Sequence, residues 1–265
     1  MKSCEVDLQE ILEIARHAAA RAAHVHTRLR RPDLSVDTKA FAADLVTEAD
    51  RESERELVAA IRSARPHDAI LGEEGTVLEG TTGLRWVLDP LDGTTNYVYG
   101  YPAHAVAVGV ELDGRRVMGV VHDTYHGCVY TGVVGGGAQR DATPIVVRAE
   151  SSVSRALLAT GFLPDVAVRR QQVELLQRVL PHVRDVRRSG CPSLDLCAVA
   201  SGTLDGYFES GLGRWDIAAG AAIVEAAGGK AVEVQCSGQP GTTLVAANAR
   251  LVGEIVELLK AEQLD

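Results

Sequence analysis

Aromatic side chains are scarce in this chain of 265 residues, where three Phe, two Trp and six Tyr amount to 4%. A core must therefore rest on Ala, Val, Leu and Ile. Basic charge is also short: 27 Lys and Arg against 36 Asp and Glu leave a net charge of −9. Such a chain binds phosphate backbones poorly, so nucleic acid is not expected as a partner. Cys4, Cys128, Cys191, Cys197 and Cys236 are scattered and form no CxxC pair, which excludes a zinc knuckle or a dithiol motif. Free thiols in a reducing cytoplasm are expected. No apolar run approaches the ~20 residues of a membrane span. Residues 1–13 carry Glu5, Asp7, Glu10 and Glu13 and no apolar stretch, so no signal peptide is expected there. Internal repeats and low-complexity segments are missing as well. What remains is an ordinary globular composition, 46% hydrophobic and 24% charged, long enough for a core without disulfide staples.

Leu8, Ile11, Leu12, Ala15, Ala19, Ala22 and Val25 recur at helical spacing and predict a first helix to about residue 29. Residues 31–39 are polar and read as an exposed loop. A second helix is expected over 48–64, with Leu57, Val58 and Ile61 on its buried face. Runs at 85–88, 104–112, 116–122 and 128–134 are β-rich and split by Asp113-Gly114, Gly127 and Gly135-Gly136-Gly137. They predict an antiparallel meander, to which 145–147 adds a strand. From 156 onward, strands (156–160, 206–209, 231–234, 244–247) alternate with helices (168–180, 193–200, 216–227, 251–262), the pattern of an α/β layer. A composition shift near Glu150 places the boundary between an N-terminal α+β domain (1–150) and a C-terminal α/β domain (151–265).

The densest chemical signal is Trp86-Val-Leu-Asp89-Pro90-Leu91-Asp92-Gly93-Thr94-Thr95. An apolar strand ends in two carboxylates three apart, and Pro90 helps bend the chain between them. Such a bend aims both carboxylates and the Leu91 carbonyl at one point, an oxygen-only set that suits Mg²⁺. Gly93-Thr94-Thr95 then reads as a helix start whose free N–H groups hold a phosphate. Three further acidic spots accompany it: Leu71-Gly72-Glu73-Glu74-Gly75, Asp44-Leu-Val-Thr47-Glu-Ala-Asp50, and Trp215-Asp216-Ile-Ala-Ala-Gly220. Singly, Asp50 and Asp216 are explained as helix caps and Glu73-Glu74 as a solvated turn. Together they pose an electrostatic problem, because a phosphate cannot sit beside Asp89, Asp92, Glu73 and Asp216 unless cations neutralise them.

These motifs, in this order and over nearly the whole chain, resemble the inositol monophosphatase family of Mg²⁺-dependent, lithium-sensitive sugar phosphatases. Lys39-x4-Asp44-Leu-Val-Thr47-x-x-Asp50, Gly72-Glu73-Glu74, Asp89-Pro-Leu-Asp92-Gly-Thr-Thr and Trp215-Asp216-x-Ala-Ala-Gly220 carry the resemblance; Arg187-Arg188-Ser-Gly190 and Leu194-Asp195-Leu look like its bacterial branch. The resemblance implies a layered αβαβα sandwich, usually a homodimer, and hydrolysis of a small polyol or sugar phosphate by in-line attack of a metal-activated water. It implies two to three Mg²⁺ ions: Glu73, Asp89 and the Leu91 carbonyl at one, Asp89, Asp92 and Asp216 at a second, Glu73 at a weaker third. Gly93, Thr94 and Thr95 match the phosphate-binding segment. Asp50 and Thr94 match the pair that deprotonates the attacking water, with Glu74 and Lys39 in support. Asp92, Cys191, Ser193 and Glu209 match the side that meets the sugar hydroxyls.

One stretch departs from the family. Cys191-Pro192-Ser193 follows Gly190 where Ser or Thr and small residues are usual. Either specificity differs from that for inositol phosphate or the loop is merely repacked. Other phosphatases of the superfamily stay open, acting on histidinol phosphate, fructose 1,6-bisphosphate, an adenosine bisphosphate or a specialised metabolite, as does a binding role in transcription complexes. His122-x3-His126 spans a predicted turn and reads as structural, and His24-x-His26 as solvated.

Overall fold

A computed structural model of the chain describes residues 7–30, 36–39 and 45–261. Helix α1 (Leu8–Leu29) starts where the Asp7 carboxylate accepts from the Gln9 and Glu10 amides. Its Ile11, Ala15, Ala19 and Ala22 stripe is buried as expected. His26 is a correction: it is 1% exposed, not solvated, because it shares the packed stripe with Ala22 and Leu29. Strands β1 (Val36–Thr38) and β2 (Leu45–Thr47) pair antiparallel, so part of the expected loop is an exposed strand. Asp44 and residues 31–35 lie outside the described residues. Helix α2 (Glu48–Ala64) has its predicted bounds.

Next come β3 (Ala69–Gly72), β4 (Val77–Leu78), β5 (Leu84–Asp92), the short helix α3 (Thr94–Tyr99), β6 (Ala105–Leu112), β7 (Arg115–Asp123), β8 (Cys128–Val133), β9 (Gly137–Arg140) and β10 (Thr143–Ile145). They form one sheet in the order β10-β9-β8-β7-β6-β5-β3-β4. The run from β5 to β10 is the predicted meander, and only β3 joins it in parallel, against β5. β10 falls two residues earlier than expected. The tight turn at Asp141, with φ 54°, sets the register Thr143↔Arg140, so pairing is used up by Ile145.

The second half comprises β11 (Leu157–Ala159), α4 (Val166–Val179), β12 (Asp185–Arg187), α5 (Pro192–Ala200), β13 (Gly206–Ser210), α6 (Arg214–Ala226), β14 (Lys230–Val234), β15 (Thr243–Ala247) and α7 (Ala249–Lys260). Its sheet runs β12-β11-β13-β15-β14, with β11 parallel to both neighbours.

The layers stack as αβαβα. Helices α1 and α2 cover the large sheet, with Ile11, Leu57 and Ile61 against Trp86, Val108 and Val120. Truncating one such aliphatic residue to Ala costs about 2–5 kcal/mol. Helices α5 and α6 fill the middle, where Leu196 and Ile223 meet Val121 of one sheet and Tyr207 and Leu244 of the other. Helices α4 and α7 close the far face, with Leu175, Leu251 and Ile255 against Leu158 and Val245. The middle layer explains the near-absence of charge in α6, which is buried on both sides. It lies so close to β7 that a Cβ on Gly119 would stand 2.1 Å from the Ala219 carbonyl oxygen. No helix among the described residues is long and apolar enough to cross a membrane.

Candidate active site

Strand β5 carries the first carboxylates. Its ladder with β6 slips between Asp89↔Ala107 and Asp92↔Ala105, so two residues of β5 bulge outward. Pro90 has no N–H to lose from the ladder and suits the bulge. The Asp89 carboxylate accepts from the Leu91 amide at 3.1 Å, and both side chains are 1% exposed. Asp92, 4% exposed, accepts from the Ser193 amide at 2.7 Å. Gly93 then turns the chain into α3 with φ 86°, and a Cβ there would lie 2.8 Å from the Ala103 carbonyl oxygen.

Two helix starts add the next carboxylates. Asp50 caps α2: one oxygen accepts from the Thr47 amide at 2.7 Å and the Thr47 hydroxyl at 2.6 Å. Its other oxygen faces the Thr94 hydroxyl at 2.9 Å. Asp216 accepts from the Gly213 amide at 2.7 Å at the head of α6. The capping reading and the site reading therefore coexist in the same side chains, since each cap spends one oxygen and leaves the other.

Glu73 and Glu74 follow β3. Lys39 donates to Glu73 at 2.8 Å and to Glu74 at 2.7 Å. The turn is held from behind by Glu54, which accepts from the Glu74 and Thr76 amides and the Thr76 hydroxyl at 2.6–3.1 Å. Gly72 makes room for it, because a Cβ there would stand 2.3 Å from the Glu54 carboxylate. Glu54 is 4% exposed and sequence reasoning missed it. Its signal was available: a glutamate three before Leu57 and seven before Ile61, on the apolar face of α2.

A cleft of about 310 Å³ opens here, lined by Glu73, Thr94, Thr95, Asp216, Arg188, Asp195 and Glu209. Glu209, on β13, is 5% exposed and receives the Tyr207 hydroxyl. It lies on the Gly161 backbone, where a Cβ would meet its carboxylate at 2.0 Å. Cys191 lines the cleft, fully buried, with its thiol toward the Asp92 carbonyl oxygen at 3.5 Å. Ser193 does not line it; this residue reaches the site through its amide on Asp92. Asp195, Arg188 and Arg169 also reach the cleft without having been assigned a role from sequence.

Burial and then the neighbouring Glu73 carboxylate hold Asp89 and Asp216 well above the usual carboxylate range. Burial also raises Asp92 and Asp50, and pushes Glu209 and Asp195 up to about 7. Asp89, Asp92 and Asp216, buried beside the Glu73 carboxylate, make an acidic group that calls for hard cations, and the all-oxygen donor set fits Mg²⁺. Among the described residues no three His, Cys, Asp or Glu side chains already converge as a ligand cluster; Glu73 is turned to Lys39.

Comparison with known proteins identifies the family. The inositol monophosphatase family profile matches residues 7–263. An inositol-1-monophosphatase SuhB of Mycobacterium tuberculosis is 41% identical over 238 residues, covering 86% of this chain and 82% of that protein. A Nus factor SuhB of Pasteurella multocida is 37% identical over 259 residues, covering 96% and 97%. The crystal structure of the extragenic suppressor protein suhB of Bartonella henselae superposes with a TM-score of 0.88 at 30% identity, over 96% of this chain and all of that one. The chain belongs to the inositol monophosphatase family.

Proposed function

We propose that this member of the inositol monophosphatase family is a Mg²⁺-dependent phosphomonoesterase acting on a small polyol or sugar phosphate of the inositol monophosphate kind. The observation that carries the reading is the electrostatic proximity of Glu73, Asp92 and Asp216 to the buried Asp89, beside the Asp50–Thr94 hydrogen bond. Glu73, Asp89, the Leu91 carbonyl, Asp92 and Asp216 would hold two to three Mg²⁺ ions. Bound there, Mg²⁺ supplies a water of lowered pKa and neutralises charge on the phosphate and the leaving oxygen.

The chain's own groups do the rest. The amides of Gly93, Thr94 and Thr95 open α3, where first-turn N–H groups have no partner within the helix, and they bind the phosphate oxygens. The Thr94 hydroxyl donates to Asp50 and keeps a lone pair, so it accepts a proton from the attacking water and relays its own to the carboxylate. Glu74 and Lys39 orient Glu73. Glu209, which lines the same cleft, receives a substrate hydroxyl. The acidic residues are committed to ions and caps, so no covalent phosphoenzyme is formed. The working form is taken to be a homodimer in a reducing cytoplasm.

Phosphate release from a panel comprising myo-inositol 1-phosphate, histidinol phosphate, fructose 1,6-bisphosphate, an adenosine bisphosphate and phosphoserine tests the reading. Preference for the polyol or sugar monophosphates supports it, and preference for phosphoserine or the adenosine bisphosphate contradicts it. A second reading, assembly into a transcription complex, has its support in the name of the Pasteurella relative. Co-purification of an Asp89→Asn variant with RNA polymerase and elongation factors separates that role from catalysis.

A further inference from the structure

His26, Thr124 and His104 form a row of hydrogen bonds beneath the β5 bulge, and nothing above gives them a role. His26 Nε2 lies 2.9 Å from the Pro90 carbonyl oxygen, and its Nδ1 lies 3.1 Å from the Thr124 hydroxyl. The same hydroxyl lies 2.6 Å from His104 Nδ1. Both imidazoles are 1% exposed.

The proton that matters in this row is fixed by elimination. A carbonyl only accepts, so His26 Nε2 carries a hydrogen. Burial holds the His26 ring down to about 3, so the ring is neutral and its Nδ1 accepts from the Thr124 hydroxyl. That hydroxyl also lies 3.2 Å from the His104 carbonyl oxygen, a second acceptor for its one hydrogen, and whichever of the two it serves it accepts from His104 Nδ1–H. His104 Nε2 is left as a bare lone pair, and it is the buried ring nitrogen without a partner.

Its consequence falls on the bulge. Pro90 sits between Asp89 and Leu91, where the β5–β6 register shifts and Pro90 has no Cα partner on β6. A buried carbonyl needs a donor. We propose that His26 is the positioning residue that fixes the Asp89–Asp92 bulge, by donating to the Pro90 carbonyl, with Thr124 and His104 locking the tautomer that does so. Tyr97 of α3 ties the same point of α1 from the other side, its hydroxyl donating to the His26 carbonyl at 2.8 Å. The proposal rests on the Mg²⁺ reading, since the bulge carries its carboxylates.

EDTA-stripped full-length protein is titrated with Mg²⁺ alone, by calorimetry and by thermal shift, and phosphate release is measured at saturating Mg²⁺. His26→Leu, which cannot donate, should weaken Mg²⁺ about 10-fold or more, as loss of a partner that orients a metal site does. His26→Gln, whose amide reaches the same point, should restore most of that loss. Thr124→Val should weaken Mg²⁺ by a smaller factor, and KM at saturating Mg²⁺ should move little in all three. Leu259→Ala, a destabilised control in the distant α7 core, should leave the Mg²⁺ titration unchanged. Equal Mg²⁺ affinity in wild type, His26→Leu and Thr124→Val overturns the proposal, as does equal impairment by Leu and Gln. If His26→Leu does not fold, an unshifted titration for Thr124→Val overturns it alone. A wild-type protein that binds no Mg²⁺ at all overturns the metal reading as well, so the two failures are told apart.

Discussion

The floor of the cleft and its rim are built by different rules. On the floor, each aspartate is held by a backbone amide: Asp50 by Thr47, Asp89 by Leu91, Asp92 by Ser193, Asp216 by Gly213. These groups sit on β5 and on the heads of α2 and α6, elements anchored in two hydrophobic layers. The rim is made of connecting segments around residues 160–164 and 188–192 and of the exposed Arg169 and Arg188. A rigid floor sets which reaction is possible, and a rim of loops sets which molecule is admitted. Cys191-Pro192-Ser193 belongs to both. Pro192 opens α5 at a position where a missing N–H costs nothing, and Ser193 uses its amide to hold Asp92. The departure from the family pattern is therefore in good part a way of packing this segment against the floor.

The contrast can be broken most severely at Asp89. Asp89→Asn should remove turnover on every substrate alike, while the metal-free thermal midpoint stays level or rises, because repulsion among the buried acids falls. More than a few per cent of wild-type turnover on any substrate would place the essential carboxylate elsewhere.

Thr94→Ala should lower the maximal rate by about 10²–10⁴-fold, the worth of lost acid–base help, with Mg²⁺ and substrate affinity little changed. Asp50→Asn should match it, and the double variant should be hardly worse than either, since both serve one proton path. Multiplicative losses would assign them separate roles.

Glu54→Ala addresses the scaffold behind the floor. It orphans the Glu74 and Thr76 amides, and each such loss costs about 1–3 kcal/mol. Chemical denaturation should show that loss, together with weaker Mg²⁺ binding. Unchanged stability would mean that the turn at residues 73–76 holds itself.

Glu209 gives the smallest effects, all on the rim side. Glu209→Gln should reorder sugar phosphates while sparing a simple aryl phosphate. Its folded value of about 7 lies above the ordinary 4.5 of a glutamate. The folded state therefore binds the extra proton between those values, and metal-free stability is lost as pH rises from about 4.5 through about 7. Thermal midpoints across that window should decline less steeply in the Gln variant; identical slopes would show that Glu209 ionises in the folded protein as it does in the unfolded one.

The acidic motifs that the structure brings near one another stood out in sequence by residue type and spacing: Asp89 and Asp92 around a proline, Glu73 between glycines, Asp216 at a helix head. Helices α1 and α2 were legible because alanine and leucine stripes of 3.6 period leave little choice. What escaped were polar groups whose partners are remote in the chain. Glu54 reaches residues about twenty positions on, and His26 reaches Pro90 and Thr124 across two layers. Their placement on an apolar stripe was the available sign. β12 escaped for the opposite reason: Asp185 and Arg187 are exposed, so the strand is defined by its pairing with β11 and not by any hydrophobic pattern.

On the proposed reading, the buried carboxylates support hydrolysis of a phosphomonoester only when loaded with Mg²⁺. The direct measurement is phosphate release from myo-inositol 1-phosphate by EDTA-stripped protein, before and after addition of Mg²⁺ or of Ca²⁺, whose longer bonds and looser geometry fit the site poorly. The account predicts no release in metal-free buffer, full release with Mg²⁺ and little with Ca²⁺. Undiminished release by the stripped protein would contradict it.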